Sequence, residues 1–79
     1  MGRTRRRRPK HLPTKLLAIR RKLGMSQTQM AKALGLQVHY SAVSNFELGT
    51  REPDLLTILS YAQLAKISTD LLIDDKHRI

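Results

Sequence analysis

Three short polar side chains, Ser41, Ser44 and Asn45, fall on one side of a helical repeat whose other side carries Val43, Phe46 and Leu48. No nucleophile, base and orienting group can be assembled from the conspicuous residues of the chain, so acid–base or nucleophilic catalysis is disfavoured. Hydrogen bonding is what these side chains offer. A helix fits the major groove of B-form DNA, where short polar groups reach base edges and asparagine can bond bidentately to adenine. Plain solvent-facing polarity is the alternative. Tyr40, just before them, is compatible with a phosphate, a thymine methyl or a place over the core.

Charge points toward a polyanion. The net charge is +9 over 79 residues, and it is unevenly placed. Residues 1–22 carry Arg3, Arg5, Arg6, Arg7, Arg8, Lys10, Lys15, Arg20, Arg21 and Lys22 with no acid, whereas the remainder is slightly acidic. A basic segment on a nearly neutral globule suits nucleic acid, with a solvated tail as the alternative.

Composition closes off other classes. Cysteine is absent, so disulfides and thiolate metal sites are excluded. His11, His39 and His77 lack metal-ligand spacing, and neither a cofactor nor a metal is expected. The longest uncharged stretch, residues 33–46, is too short and too polar to span a bilayer. No apolar run promptly follows the basic start, so a secretory signal is not expected and the cytoplasm, on the nucleoid, is.

The elements that must position these residues are helical. Residues 1–13 hold two prolines, five arginines and almost nothing to bury, and are predicted to be a disordered basic arm. A single folded domain is predicted over residues 14–75, followed by a tail at 76–79. Thr14 is the predicted cap of a first helix, with Leu16, Ile19 and Leu23 on one face and Gly24 ending it. Ser26 caps a second, with Met30, Ala31 and Leu34 inward and Gly35 as a left-handed stop. Residues 36–40 read either as loop or as an irregular first turn of a third helix, whose pattern is clear from Ser41 until Gly49 stops it. After a polar turn ending at Pro53, Asp54 caps a fourth helix with Leu55, Ile58, Leu59, Ala62 and Ala65 as core candidates. Ser68 or Thr69 caps a short fifth helix containing Leu71 and Leu72. The prediction is an all-α, compact five-helix domain with a flexible N-terminal arm.

Several spaced motifs then occur in order: Ile19-Arg20, Leu23-Gly24-Met25-Ser26-Gln27, Met30-Ala31, Leu34-Gly35, Val43-Ser44, Phe46-Glu47, Gly49, Pro53, and Ile67-Ser68-Thr69-Asp70 with Leu72. Together they resemble the Cro/repressor, or Xre-like, helix-turn-helix family of DNA-binding proteins over residues 16–73. The resemblance implies that the second and third helices form the helix-turn-helix and that the third enters the major groove, with base contacts from Ser41, Ser44, Asn45 and Tyr40. It implies a phosphate contact from Gln27, which also helps orient the reading helix. Thr28, on the same helix start, and Arg51, in the turn after the reading helix, are further phosphate candidates, with a solvated loop charge as the alternative for Arg51. Arg5, Arg6, Arg7 and Arg8 would add phosphate or minor-groove contacts, as the arms of some such repressors do. Arg20 and Glu47 stand where the family places a structural ion pair. The distance from Gly35 to Gly49 is slightly longer than the family pattern, and the extra residues fall between Leu36 and Ser41.

The expected function is a sequence-specific DNA-binding transcriptional regulator, most simply a repressor, acting on double-stranded DNA as a homodimer. Its reading helices would lie about 34 Å apart, and Ile67, Leu71 and Ile73 are candidates for the dimer surface. The alternatives are an antitoxin that binds its own operator and a toxin, or a coactivator-like module that binds another protein.

Overall fold

The structure is a computed structural model that describes residues 9–35 and 39–76. Among these residues it has five helices and no strand: α1 (Leu12–Lys22), α2 (Gln27–Leu34), α3 (Tyr40–Leu48), α4 (Leu55–Ala65) and α5 (Asp70–Ile73). Arg5 to Arg8 and the expectation of a disordered arm there, most of the lengthened turn, and residues 77–79 lie outside the described residues.

Local chemistry sets most helix starts. At α2, the Ser26 hydroxyl accepts the Gln29 backbone N–H at 3.0 Å while the Gln29 side chain accepts the Ser26 N–H at 2.8 Å, a reciprocal capping box. Asp54 accepts the Thr57 N–H at 2.8 Å to start α4, and the Ser68 hydroxyl accepts the Asp70 N–H at 3.0 Å at the head of α5. Gly49 ends α3 at φ 81°, a left-handed conformation that a side chain would strain.

Helix α1 departs from its expected start. The cap is predicted at Thr14, but the helix begins at Leu12, with Pro13 in its first turn, where a missing N–H removes no intrahelical bond. Its leading amides are served from the far end of the chain: the Asp75 carboxylate accepts the N–H groups of Lys10 at 3.0 Å and His11 at 3.1 Å. Leu12 is buried, so residues 12 and 13 belong to the globule and not to an arm extending to residue 13. Leu12 continues the stripe of Leu16 and Ile19 at helical spacing, but it follows the basic run directly and precedes a proline, and the contact that anchors the segment is long-range.

Lys15 is a second reversal. Counted with the N-terminal charge excess, it is instead buried, and its Nζ donates to the carbonyls of Leu71 at 2.7 Å and Asp74 at 2.9 Å. A cation at these carbonyls satisfies acceptors that α5 leaves open.

The core lies where α1, α2 and α3 meet, roofed by α4 and closed by Leu72 of α5. Leu16, Met30, Val43, Tyr61 and Leu72 are its largest fully buried side chains. On α4 the buried residues are Ile58, Tyr61 and Ala62, with Ala65 packed beside them. Two core candidates fail: Leu55 is 82% exposed and Leu59 43%. Leu59 lies off the stripe formed by residues 58, 61, 62 and 65, and Leu55, on the helix's first turn, overhangs the core. Leu23 and Leu48, aligned with apolar faces in the sequence, are exposed at the ends of α1 and α3. Tyr61 was not a core candidate, yet it is fully buried, and its hydroxyl has no hydrogen-bond partner among the described residues. Burial, and then the nearby Glu47 charge, raise its pKa well above the ordinary tyrosine value.

Two caps make stability depend on acid pH. Backbone N–H donation holds the carboxyls of Asp54 (from Thr57) and Asp75 (from Lys10 and His11) below their ordinary pKa. A depressed folded-state pKa gives stabilisation that is fully present above the unfolded pKa, about 4, and is lost as pH falls through the folded value. The thermal midpoint should therefore drop below about pH 4. In an Asp54→Ala, Asp75→Ala double variant that acid-side drop should be smaller; an unchanged drop would assign it to other groups.

Candidate nucleic-acid interface

One carboxylate near the end of α3 ties three segments together. Glu47 receives Arg20 Nε at 2.6 Å on Oε2 and Arg20 Nη2 at 3.0 Å on Oε1, a two-pronged pairing from α1. The remaining arm of the guanidinium, Nη1, donates to the Met25 carbonyl at 3.0 Å in the turn before α2. Gln27, the first residue of α2, donates its Nε2 to Glu47 Oε1 at 3.2 Å. The side chains are largely hidden, at 17% exposure for Arg20 and 6% for Glu47. The hydrogen bond to Glu47 raises the pKa of Arg20 further. These bonds fix α3 against α1 and α2, which the apolar contacts of Val43 and Phe46 alone would leave freer to rotate.

With Ala42, Val43 and Phe46 buried, α3 turns Ser41 and Asn45 to solvent, and Ser44 is half-buried. Tyr40 is 53% exposed. Asn45 Oδ1 accepts the Thr50 hydroxyl at 3.2 Å, while its side-chain N–H groups have no partner among the described residues. Thr50 N–H also bonds the Asn45 carbonyl at 3.0 Å, so the turn after α3 braces this side chain. Ser41 is engaged locally: its hydroxyl is 2.9 Å from His39 Nδ1, which also accepts the Ser41 backbone N–H at 3.2 Å.

His39 stands at the head of α3, beside the polar edge, and the sequence reading assigned it no role there. It caps α3, is exposed, and its ring lies 4.5 Å from that of Tyr40, centroid to centroid. Accepting the Ser41 N–H through Nδ1 puts the imidazole proton on Nε2 in the neutral ring. A polar residue two positions before Ser41 was the available signal, but the extended turn hid where the helix begins.

Thr28 is exposed next to Gln27 on the first turn of α2. Arg51 is exposed after α3, its guanidinium carbon 5.8 Å from the Phe46 ring centroid. Gln27 is half-buried, and its amide nitrogen is engaged by Glu47. Among the described residues no cluster of histidine and carboxylate side chains could hold a metal, and no helix is long and apolar enough to cross a membrane.

The family model described as helix-turn-helix matches residues 16–72, well over half of the chain. The chain belongs to the Cro/repressor type of helix-turn-helix family. Among solved structures it is similar to the P22 c2 repressor, crystallised in complex with the synthetic operator 9T in the presence of Tl+. The two are 26% identical with a TM-score of 0.72, over 81% of this chain and 94% of that one. No curated relative matches the sequence. This helix-turn-helix protein is a DNA-binding transcription regulator and not an enzyme.

Proposed function

We propose that the protein is a sequence-specific repressor that lays α3 in the major groove of an operator and binds as a homodimer in the cytoplasm. The observation that carries this reading is the polar edge of α3, with Asn45, Ser44, Ser41 and Tyr40 outside the core, on a helix held by the Arg20–Glu47–Gln27 bonds. Asn45 is the principal base reader, because its unbonded N–H groups and braced carbonyl are displayed on a fixed helix. Gln27 and Thr28 meet a backbone phosphate at the N-terminus of α2, where free amides favour an anion. Arg51 takes a second phosphate, and Arg5 to Arg8 add contacts that are electrostatic and independent of sequence. The operator complex of the similar P22 c2 repressor supports this assignment.

The dimer surface is assigned differently from the sequence expectation. Ile67 packs against the core and Leu71 is half-buried, whereas Ile73 is 44% exposed and lines a groove with Leu55. Leu55, Leu59 and Ile73 are therefore the apolar contacts offered to a second copy.

Asn45→Ala should reduce discrimination between operator and random DNA by about 1–3 kcal/mol, while leaving binding to random duplexes nearly unchanged. Competition titrations of both DNAs measure this. Equal weakening on the two would remove Asn45 from base reading.

A further inference from the structure

The basic arm joins the globule at a clasp built from both ends of the chain. Asp75, beyond α5, accepts the backbone N–H groups of Lys10 and His11 at 3.0 and 3.1 Å, across 65 and 64 residues of sequence. From the other side, Lys15 of α1 donates its buried ammonium to the carbonyls of Leu71 and Asp74. Each terminus thus satisfies groups that the other terminus leaves open.

The place where this clasp holds the chain matters. Pro9 and Lys10 line a groove with Phe46, Gly49, Arg51 and Pro53, on the turn that follows α3. Pro13 packs on the same turn: a Cβ built on Gly49 would meet Pro13 Cγ at 3.3 Å. The root of the arm is therefore held beside Arg51, at the end of α3, by bonds to the C-terminal segment.

We propose that Asp75 is a positioning residue for DNA binding: by fixing the backbone of Lys10 and His11 it sets where the arginines of residues 2–8 are delivered. The inference rests on the reading that the arm contacts DNA. Fixing the root beside the end of α3 limits how far the attached arginines can be from the phosphates there, which raises their effective concentration at that edge. Without the Asp75 carboxylate, the amides of Lys10 and His11 lose their acceptor and the attached charges are tethered from a point farther back on α1. Asp75 touches no DNA in this account. Its effect runs entirely through the arm.

The test uses four full-domain proteins: the natural chain, Asp75→Ala, a deletion of residues 2–8, and the two changes combined. Each is titrated with a short labelled duplex of arbitrary sequence across a salt series, and amide exchange at Lys10 and His11 is followed by NMR. Asp75→Ala is expected to speed exchange at both amides, weaken binding several-fold and flatten the salt dependence in the full chain, yet leave binding unchanged once the arm is deleted. Equal weakening with and without the arm would make Asp75 merely structural and overturn the proposal. Unchanged exchange, or unchanged binding in the full chain, would overturn it too. If deleting the arm alone leaves affinity and salt dependence unaltered, the arm reading itself fails and the proposal falls with it. The exchange data then report separately whether the clasp exists.

Discussion

Replacing Arg20 with methionine is expected to destabilise the domain by about 3–5 kcal/mol, because it strands a nearly buried carboxylate. Glu47 is 6% exposed and takes three hydrogen bonds, two of them from Arg20. With Arg20 gone, only the Gln27 amide at 3.2 Å remains, and a neutral donor does not offset the desolvation of a charge. A 79-residue domain has total stability of only about 5–15 kcal/mol, so much of the variant should be unfolded at moderate temperature. Changing both residues together, Arg20→Met with Glu47→Leu, should recover a large part of the loss, since no charge is left unpaired. Urea unfolding of the single and double variants measures this, and additive losses would show that the pair is not coupled. The recovered double variant should still bind DNA less specifically, because Gln27 would have lost its partner and α3 one of its ties to α2.

The second large effect concerns residues 2–8. Deleting them removes Arg5, Arg6, Arg7 and Arg8 together with Arg3. Each phosphate neutralised contributes a slope of about −0.9 to the logarithm of affinity against the logarithm of salt concentration. If the four adjacent arginines each meet one phosphate, the deletion should make the slope shallower by up to about 3.6 and lower low-salt affinity by orders of magnitude. Specificity should change little, since phosphate contacts carry no base information directly. Fluorescence anisotropy over a salt series is the measurement. An unchanged slope would separate the arm from DNA binding.

The sequence carried the helix-turn-helix better than it carried the ends of the domain, and the reason is locality. Ser26, Gly35, Gly49 and Asp54 act on backbone groups within a few residues of themselves, so their types and positions already specify the starts and stops seen in the structure. The start of α1 is held instead by Asp75, more than sixty residues away, and the local signals, Pro13 and the Leu12, Leu16, Ile19 spacing, were outweighed by the basic run beside them. Lys15 was misread for the same reason, because its two carbonyl partners belong to the segment around α5. On α4 a run of leucines blurred the helix phase, hiding Tyr61 and promoting Leu55 and Leu59. On the outer edge of α3, the polarity of Ser41, Ser44 and Asn45 was legible as one face of a helix. Their different bonding was not: Ser41 is tied to His39 and Asn45 is braced by Thr50, distinctions that arise only when both ends of α3 are in place.

Base reading by α3 is tested most directly by selecting bound duplexes from a random DNA pool. Enrichment of a two-fold symmetric motif with half-sites about one helical turn apart is expected, with loss of preference at the same base pair of each half-site when the selection is repeated with Asn45→Ala. A pool that binds but yields no enriched motif, or a motif that Asn45→Ala leaves intact, would contradict it.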